Sequence, residues 1–156
     1  MHSNSTQPRL LAAIFWGGFI CGVLDITAAF VVYGFFGARP VRLLQGIAAG
    51  LLGPKSFEGG LATAALGLVC HFIVAFSAAT AFVLASRQLR FLLDHTLLSG
   101  VLHGPVVYFF MSRVVVPLSA VRPRPFSFKM MLIGLAIHVF CVGLPISLAT
   151  RRWAHY

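Results

Sequence analysis

The chain has 156 residues, of which 59% are hydrophobic and only 10% are charged, and its mean hydropathy is +0.93. A soluble domain carries about 25% charged residues, so this composition excludes a water-soluble domain and predicts a membrane protein. The net charge of +9 does not indicate nucleic-acid binding, because the basic residues lie singly or in pairs at the ends of apolar runs, where lipid headgroups lie.

The first apolar run covers residues 10–36 and contains one charged residue, Asp25. Its length is sufficient for a membrane-spanning helix, which needs about 20 apolar residues. A carboxylate at mid-membrane costs about 2.5–3.5 kcal/mol even on the mildest scale. Because Asp25 falls on a line of small residues with Gly18, Gly22 and Ala29, we expect it to face the interior of a helix bundle.

The connection that follows holds a shorter segment, Val41–Leu52, between Arg39-Pro40 and Gly53-Pro54. Twelve residues make a helix of about 18 Å, which is too short to span the membrane. We therefore predict an interfacial or re-entrant helix, on which Arg42, Gln45 and Ala49 share one side.

Three further spans are predicted at residues 60–86, 91–116 and 130–150. Each carries one histidine on a stripe of small residues: His71, His103 and His138 respectively. The predicted fold class is therefore all-α, a polytopic membrane protein with one transmembrane domain of four helices and one short helix after the first span. The cysteines lie inside apolar runs, where buried thiols act as small apolar side chains.

Basic residues flank the predicted spans on both sides, and six of them are expected to contact lipid headgroups: Arg39, Arg42, Arg87, Arg90, Arg151 and Arg152. Adding Arg9 to one side and Lys55, Arg122, Arg124 and Lys129 to the other leaves the two sides nearly balanced. The positive-inside rule therefore does not decide the orientation.

The two halves of the sequence resemble each other. Residues 22–25 read GVLD and residues 100–103 read GVLH, while Gly67-Leu68 precedes His71 as Gly134-Leu135 precedes His138. This order predicts a duplicated hairpin, with two parallel repeats related by an axis along the membrane normal. The repeat makes Asp25 equivalent to His103, and it predicts a ring of four ionisable side chains near mid-membrane.

Ionisable residues inside a membrane are functional candidates. The first interpretation is a proton or cation site for transport, formed by Asp25, His71, His103 and His138, because histidine titrates near neutral pH. The second is a transition-metal site, and the third a haem b site; the candidate ligands are His71, His138, Asp25 and Cys141. The fourth is an accessory or scaffold subunit of a larger complex or homo-oligomer, and in the plainest alternative the histidines only hydrogen-bond helices together.

Several runs, among them GVLDITAAFVVYG, PVRLLQGIAAGLLG and IGLAIHVFCVGLPI, make nearly the whole chain resemble a family of small uncharacterised four-span bacterial inner-membrane proteins. The resemblance implies a multi-pass protein of the bacterial inner membrane and supplies no activity. No nucleophile, phosphate loop or dinucleotide motif stands out, so the sequence favours a non-enzymatic protein whose evident partner is the lipid bilayer.

Overall fold

The structure, a computed structural model, describes residues 6–121 and 125–153. The predicted basic loop includes Arg122 and Arg124, which lie outside the described residues. The helices are α1 (Thr6–Phe35), α2 (Pro40–Leu52), α3 (Gly60–Gln88), α4 (Phe91–Asp94), α5 (Thr96–Leu118) and α6 (Phe128–Trp153), with a 3-10 turn at Gly53–Phe57 after α2.

The four long helices, α1, α3, α5 and α6, are long and apolar enough to cross a membrane. Their outer surface is apolar: Leu11, Phe35, Leu61 and Leu118 are 66%, 85%, 76% and 83% exposed. A soluble protein rarely presents so much contiguous apolar surface to water. Every regular element of the described residues is a helix, so the all-helical prediction is confirmed there. The four long apolar helices suggest a multi-pass membrane protein.

The third long helix begins at Thr96, whereas the sequence predicted a start at Phe91. His95, with φ −113° and ψ 51°, leaves the helical conformation and separates α4 from α5. Asp94 and His95 are both exposed, so the break falls at polar residues near the end of the apolar run. There the freed backbone groups can meet water or headgroups.

Two of the long helices widen into a π-helical turn before a proline. The segment Met111–Val115 of α5 precedes Pro117, and the segment His138–Gly143 of α6 precedes Pro145. Proline lacks a backbone N–H, and its ring clashes with the carbonyl four residues earlier. A wider turn relieves that clash without ending the helix.

α1 packs against both α3 and α6, and α5 packs along α6. Cys21 of α1 is fully buried at the meeting point, where Ala79 and Phe82 of α3 approach Val142 and Ile146 of α6. Because these side chains fill the space between α3 and α6, this part of the bundle interior is a packed apolar core.

Glycines set the distance between the packed helices. Gly18 and Gly22 of α1 face the rings of Phe76 and Phe72 of α3, which occupy the space that a Cβ would need. In the second half, a Cβ on Gly143 of α6 would overlap the carbonyl oxygen of Gly100 in α5. The first hairpin is thus spaced by aromatic rings and the second by direct backbone contact.

The short helix α2 docks against the first half of α3. Gln45 is buried, and its Nε2 donates a hydrogen bond to the Gly60 carbonyl at 3.0 Å. Thr63 of α3 donates to the Ser56 carbonyl at 2.6 Å. Gln45 therefore lies on the buried side with Ala49. Arg42, predicted for the same side, is exposed and donates a hydrogen bond to the Phe57 carbonyl at 3.3 Å.

The two hairpins meet through two helix pairs, α1–α6 and α3–α5, and these pairs differ in how closely they approach. α1 approaches α6 closely, with the Cβ position of Gly17 3.6 Å from the Ala149 Cβ and 3.7 Å from the Ile146 Cα. By the repeat, α3 and α5 would form the matching pair, yet their backbones make few close approaches in the described chain. The helix arrangement thus departs from the symmetry that the sequence repeat predicts.

We expect Gly67→Ala to lower the midpoint of thermal unfolding in detergent, because the added Cβ would overlap the Leu44 carbonyl oxygen and push α2 away from α3. Overpacking of this kind typically costs about 1–3 kcal/mol. The matched control is Gly46→Ala on α2, where a Cβ would meet nothing within 4 Å and alanine favours helix formation. An equal effect of both substitutions would contradict the docked position of α2.

Candidate functional site

Asp25 and His71 are the two members of the predicted quartet that the structure brings together. Asp25 Oδ2 lies 3.9 Å from His71 Nδ1, and the two side chains are 22% and 11% exposed respectively. This distance is ion-pair contact and exceeds that of a direct hydrogen bond. About ten residues separate Asp25 from the end of α1 at Phe35, a distance of about 15 Å along the helix, so the pair lies well inside the helix and away from its ends.

The other nitrogen of the His71 ring fixes the tautomer. His71 Nε2 lies 2.8 Å from the carbonyl oxygen of Gly22, and a carbonyl can only accept, so Nε2 carries the hydrogen. In the neutral ring Nδ1 then presents its lone pair towards Asp25. A lone pair facing a carboxylate is repulsive, whereas one proton on either group makes the contact attractive.

His138, the repeat equivalent of His71, makes different contacts. Its Nδ1 donates to the Gly134 carbonyl of its own helix at 2.9 Å, and its ring meets Tyr108 edge-to-face at a centroid distance of 5.3 Å. Gly104 of α5 faces the His138 backbone, and a Cβ there would lie 2.6 Å from the His138 carbonyl carbon. His138 therefore bonds within its own helix at the place where α5 and α6 cross closely.

His103, the repeat equivalent of Asp25, faces α3. Its ring packs on Phe82 with a centroid distance of 4.9 Å. Its Nε2 is buried and has no hydrogen-bond partner within residues 6–121 and 125–153. The structure thus separates the four predicted side chains: Asp25 pairs with His71, His103 contacts Phe82, and His138 contacts Tyr108.

The residues predicted as ligands do not fit either a metal ion or a haem. No three His, Cys, Asp or Glu side chains within the described part of the chain converge as metal ligands do. His71 Nε2, the atom that would ligate haem iron, is engaged by Gly22. Cys21 and its neighbours fill the space between α3 and α6, so a porphyrin between His71 and His138 would displace the core.

The six arginines predicted to contact headgroups are exposed and lie at or beside helix ends: Arg39, Arg42, Arg87, Arg90, Arg151 and Arg152. Two of them also contact aromatic rings. The guanidinium of Arg42 lies 5.5 Å from the Phe57 ring centroid and that of Arg152 lies 5.3 Å from Trp153. Cation–π contact of this kind orients a guanidinium without neutralising its charge.

Sequence reasoning missed the Gly22 carbonyl, which selects the His71 tautomer, and Ser99, which precedes His103 by one helical turn. No pattern of side chains could have identified the first, because it is a backbone group. The second carried a usable signal, since residues four apart lie on the same helix face.

Comparisons with models of protein families, with curated proteins and with solved structures found no match to this chain.

We expect the purified protein to show no Soret band, and chelator treatment to leave its midpoint of thermal unfolding unchanged, because the candidate ligands do not converge. Visible absorption, elemental analysis and thermal unfolding in detergent measure these properties. A stoichiometric metal or a Soret band that disappears in His71→Leu would contradict the separation of the histidines described above.

Proposed function

We propose that this chain is a small membrane transport protein in which the Asp25–His71 pair carries a proton for proton- or cation-linked transport. One observation carries the proposal: His71 Nε2 is committed to the Gly22 carbonyl, so Nδ1 is the ring nitrogen that faces the nearby carboxylate and is free to exchange a proton with it. A group that holds a proton at mid-membrane depth is what a proton relay in a transporter requires.

The partial exposure of the pair supports transport over a purely structural role. A buried histidine that only joined two helices would be best sealed by its neighbours, since water weakens the electrostatic attraction. The Asp25 side chain is 22% exposed, so the surrounding helices do not seal the carboxylate completely. The protein would then alternate between a protonated pair and a cation-bound or deprotonated one.

The proposed membrane placement is multi-pass in a bacterial inner membrane, with α2 at the surface or dipping partly into it. The exposed arginines at the helix ends support this placement, because they would reach headgroups while the apolar flanks meet lipid. In α2, the exposed residues Val41, Leu51 and Leu52 could enter the interface while Arg42 stays in water. The matching motifs of the two halves of the sequence support a common origin of the halves and fit a transporter built from repeats.

A scaffold role in a larger complex is the second candidate. The exposed apolar flanks that favour lipid contact would equally allow other membrane helices to bind. This role makes no use of Asp25, so substitutions at the pair separate the two proposals.

We expect Asp25→Asn to reduce proton flux to the rate of protein-free liposomes, because the amide keeps the shape of the side chain and cannot carry the proton. The measurement uses proteoliposomes that contain a pH-sensitive dye, with a potassium diffusion potential and a panel of external monovalent and divalent cations. Infrared spectroscopy of the same samples reports the pair directly, since the Asp25 band, whether from a carboxylate or a protonated carboxyl, should be missing in Asp25→Asn.

The matched control for this substitution is Asp94→Asn, which removes an exposed carboxylate in the short helix α4 and should leave flux unchanged. If Asp25→Asn keeps wild-type flux and lowers only the midpoint of thermal unfolding, the pair is a helix-joining contact and the transport proposal is wrong.

A further inference from the structure

A cleft opens between α3 and α5, at the interface that the sequence repeat would match to the closely packed α1–α6 pair. Its volume is about 320 Å³. Ala81, Phe82 and Ala85 of α3 form one wall, and Ser99 and His103 of α5 lie on the other. Phe82 lies about 11 residues beyond His71 on α3, a distance of about 16 Å, so the cleft is separate from the Asp25–His71 pair.

Two polar atoms in this cleft have no partner. Ser99 Oγ and His103 Nε2 are both buried, and neither has a hydrogen-bond partner within the described ranges 6–121 and 125–153. Ser99 is 2% exposed, so its side chain must turn to another rotamer for the hydroxyl to meet a group bound in the cleft. Buried polar atoms in native proteins are nearly always hydrogen-bonded, which indicates that a bound group completes this site.

The chemistry of the lining selects the bound group. The walls are alanine, leucine, valine and phenylalanine side chains, and no lysine or arginine lies among the lining residues. A charged head group would lose its hydration there without gaining a counter-charge. A hydroxyl can donate and accept at once, so it can pair both with the Ser99 hydroxyl and with the unpartnered Nε2 of His103.

We propose that the α3–α5 cleft binds a neutral, lipid-soluble alcohol whose hydroxyl is held by Ser99 and His103. An apolar cavity of about 150 Å³ holds a benzene molecule, so a cleft of about 320 Å³ accommodates the hydroxyl end and several carbons. The remaining chain extends past Ala81 and Val106, which are exposed at the edge of the cleft. This inference does not depend on the transport proposal.

Photo-crosslinking in reconstituted vesicles tests the site. The probe is hexadecanol with a diazirine on its chain and a terminal alkyne, and the comparison probe is the same chain without the hydroxyl. We expect saturable adducts of the alcohol on Leu92, Leu102 and Val106, mapped by mass spectrometry. Excess hexadecanol should compete for them, whereas hexadecane and palmitate should compete weakly.

Substitutions identify the groups that hold the hydroxyl. Ser99→Ala combined with His103→Leu should reduce the adducts several-fold, and His103→Gln, which keeps a hydrogen-bonding group, should retain part of the labelling. Ala81→Phe should block the cleft. The controls are Ser112→Ala, which removes a half-buried serine of α5 that bonds to its own helix, and Ala65→Phe at an exposed site of α3.

Asp25→Asn separates this proposal from the transport proposal, because it should abolish proton flux and leave the adducts unchanged. Equal labelling by the probe without a hydroxyl would show that the cleft binds the hydrocarbon chain and does not recognise the hydroxyl. Stronger competition by palmitate would show that an anionic head group is preferred. Either result would overturn the proposal, and so would wild-type labelling of the Ser99→Ala, His103→Leu variant. A lack of saturable labelling would also overturn it, because it would show that only water fills the cleft.

Discussion

Close approach of helix backbones at glycine is the constraint on which the rest of this bundle depends. Lipid gives apolar helices no hydrophobic reason to associate, so van der Waals packing at small residues supplies much of the attraction. Gly67 admits the Leu44 carbonyl, and Gly143 admits that of Gly100. These contacts dock α2 on α3 and join α5 to α6, so they determine which helix faces remain for polar side chains.

The same constraint explains why equivalent histidines have different surroundings. In the first hairpin, phenylalanine rings separate α1 from α3, and His71 reaches across to the Gly22 carbonyl beside Asp25. In the second hairpin, α5 and α6 touch through their backbones, and His138 bonds to Gly134 in its own helix. Two similar sequence segments thus make different contacts, an Asp–His contact in the first hairpin and a hydrogen bond within one helix in the second.

The departure from symmetry also creates the cleft beside His103. α1 and α6 close on each other at Gly17, whereas α3 and α5 are held apart with Phe82 against the His103 ring. The bundle therefore contains a partly exposed Asp25–His71 contact and, farther along α3, an apolar cleft lined by Ser99. The two sites have different chemistry and can be tested independently.

The sequence by itself determined the helical class, the four long apolar helices and the short helix after the first, because length and hydropathy are local properties that a membrane constrains strongly. It also identified Asp25 and His71 as candidates, since charge is rare in apolar runs. Only the tertiary structure decided that Asp25 contacts His71, that Gln45 is buried and that His103 borders a cleft. Those outcomes depend on the distance between helices and on the rotation of each helix about its axis. Glycine contacts between segments far apart in the chain set both quantities, and such contacts leave no periodic signal within the sequence of one helix.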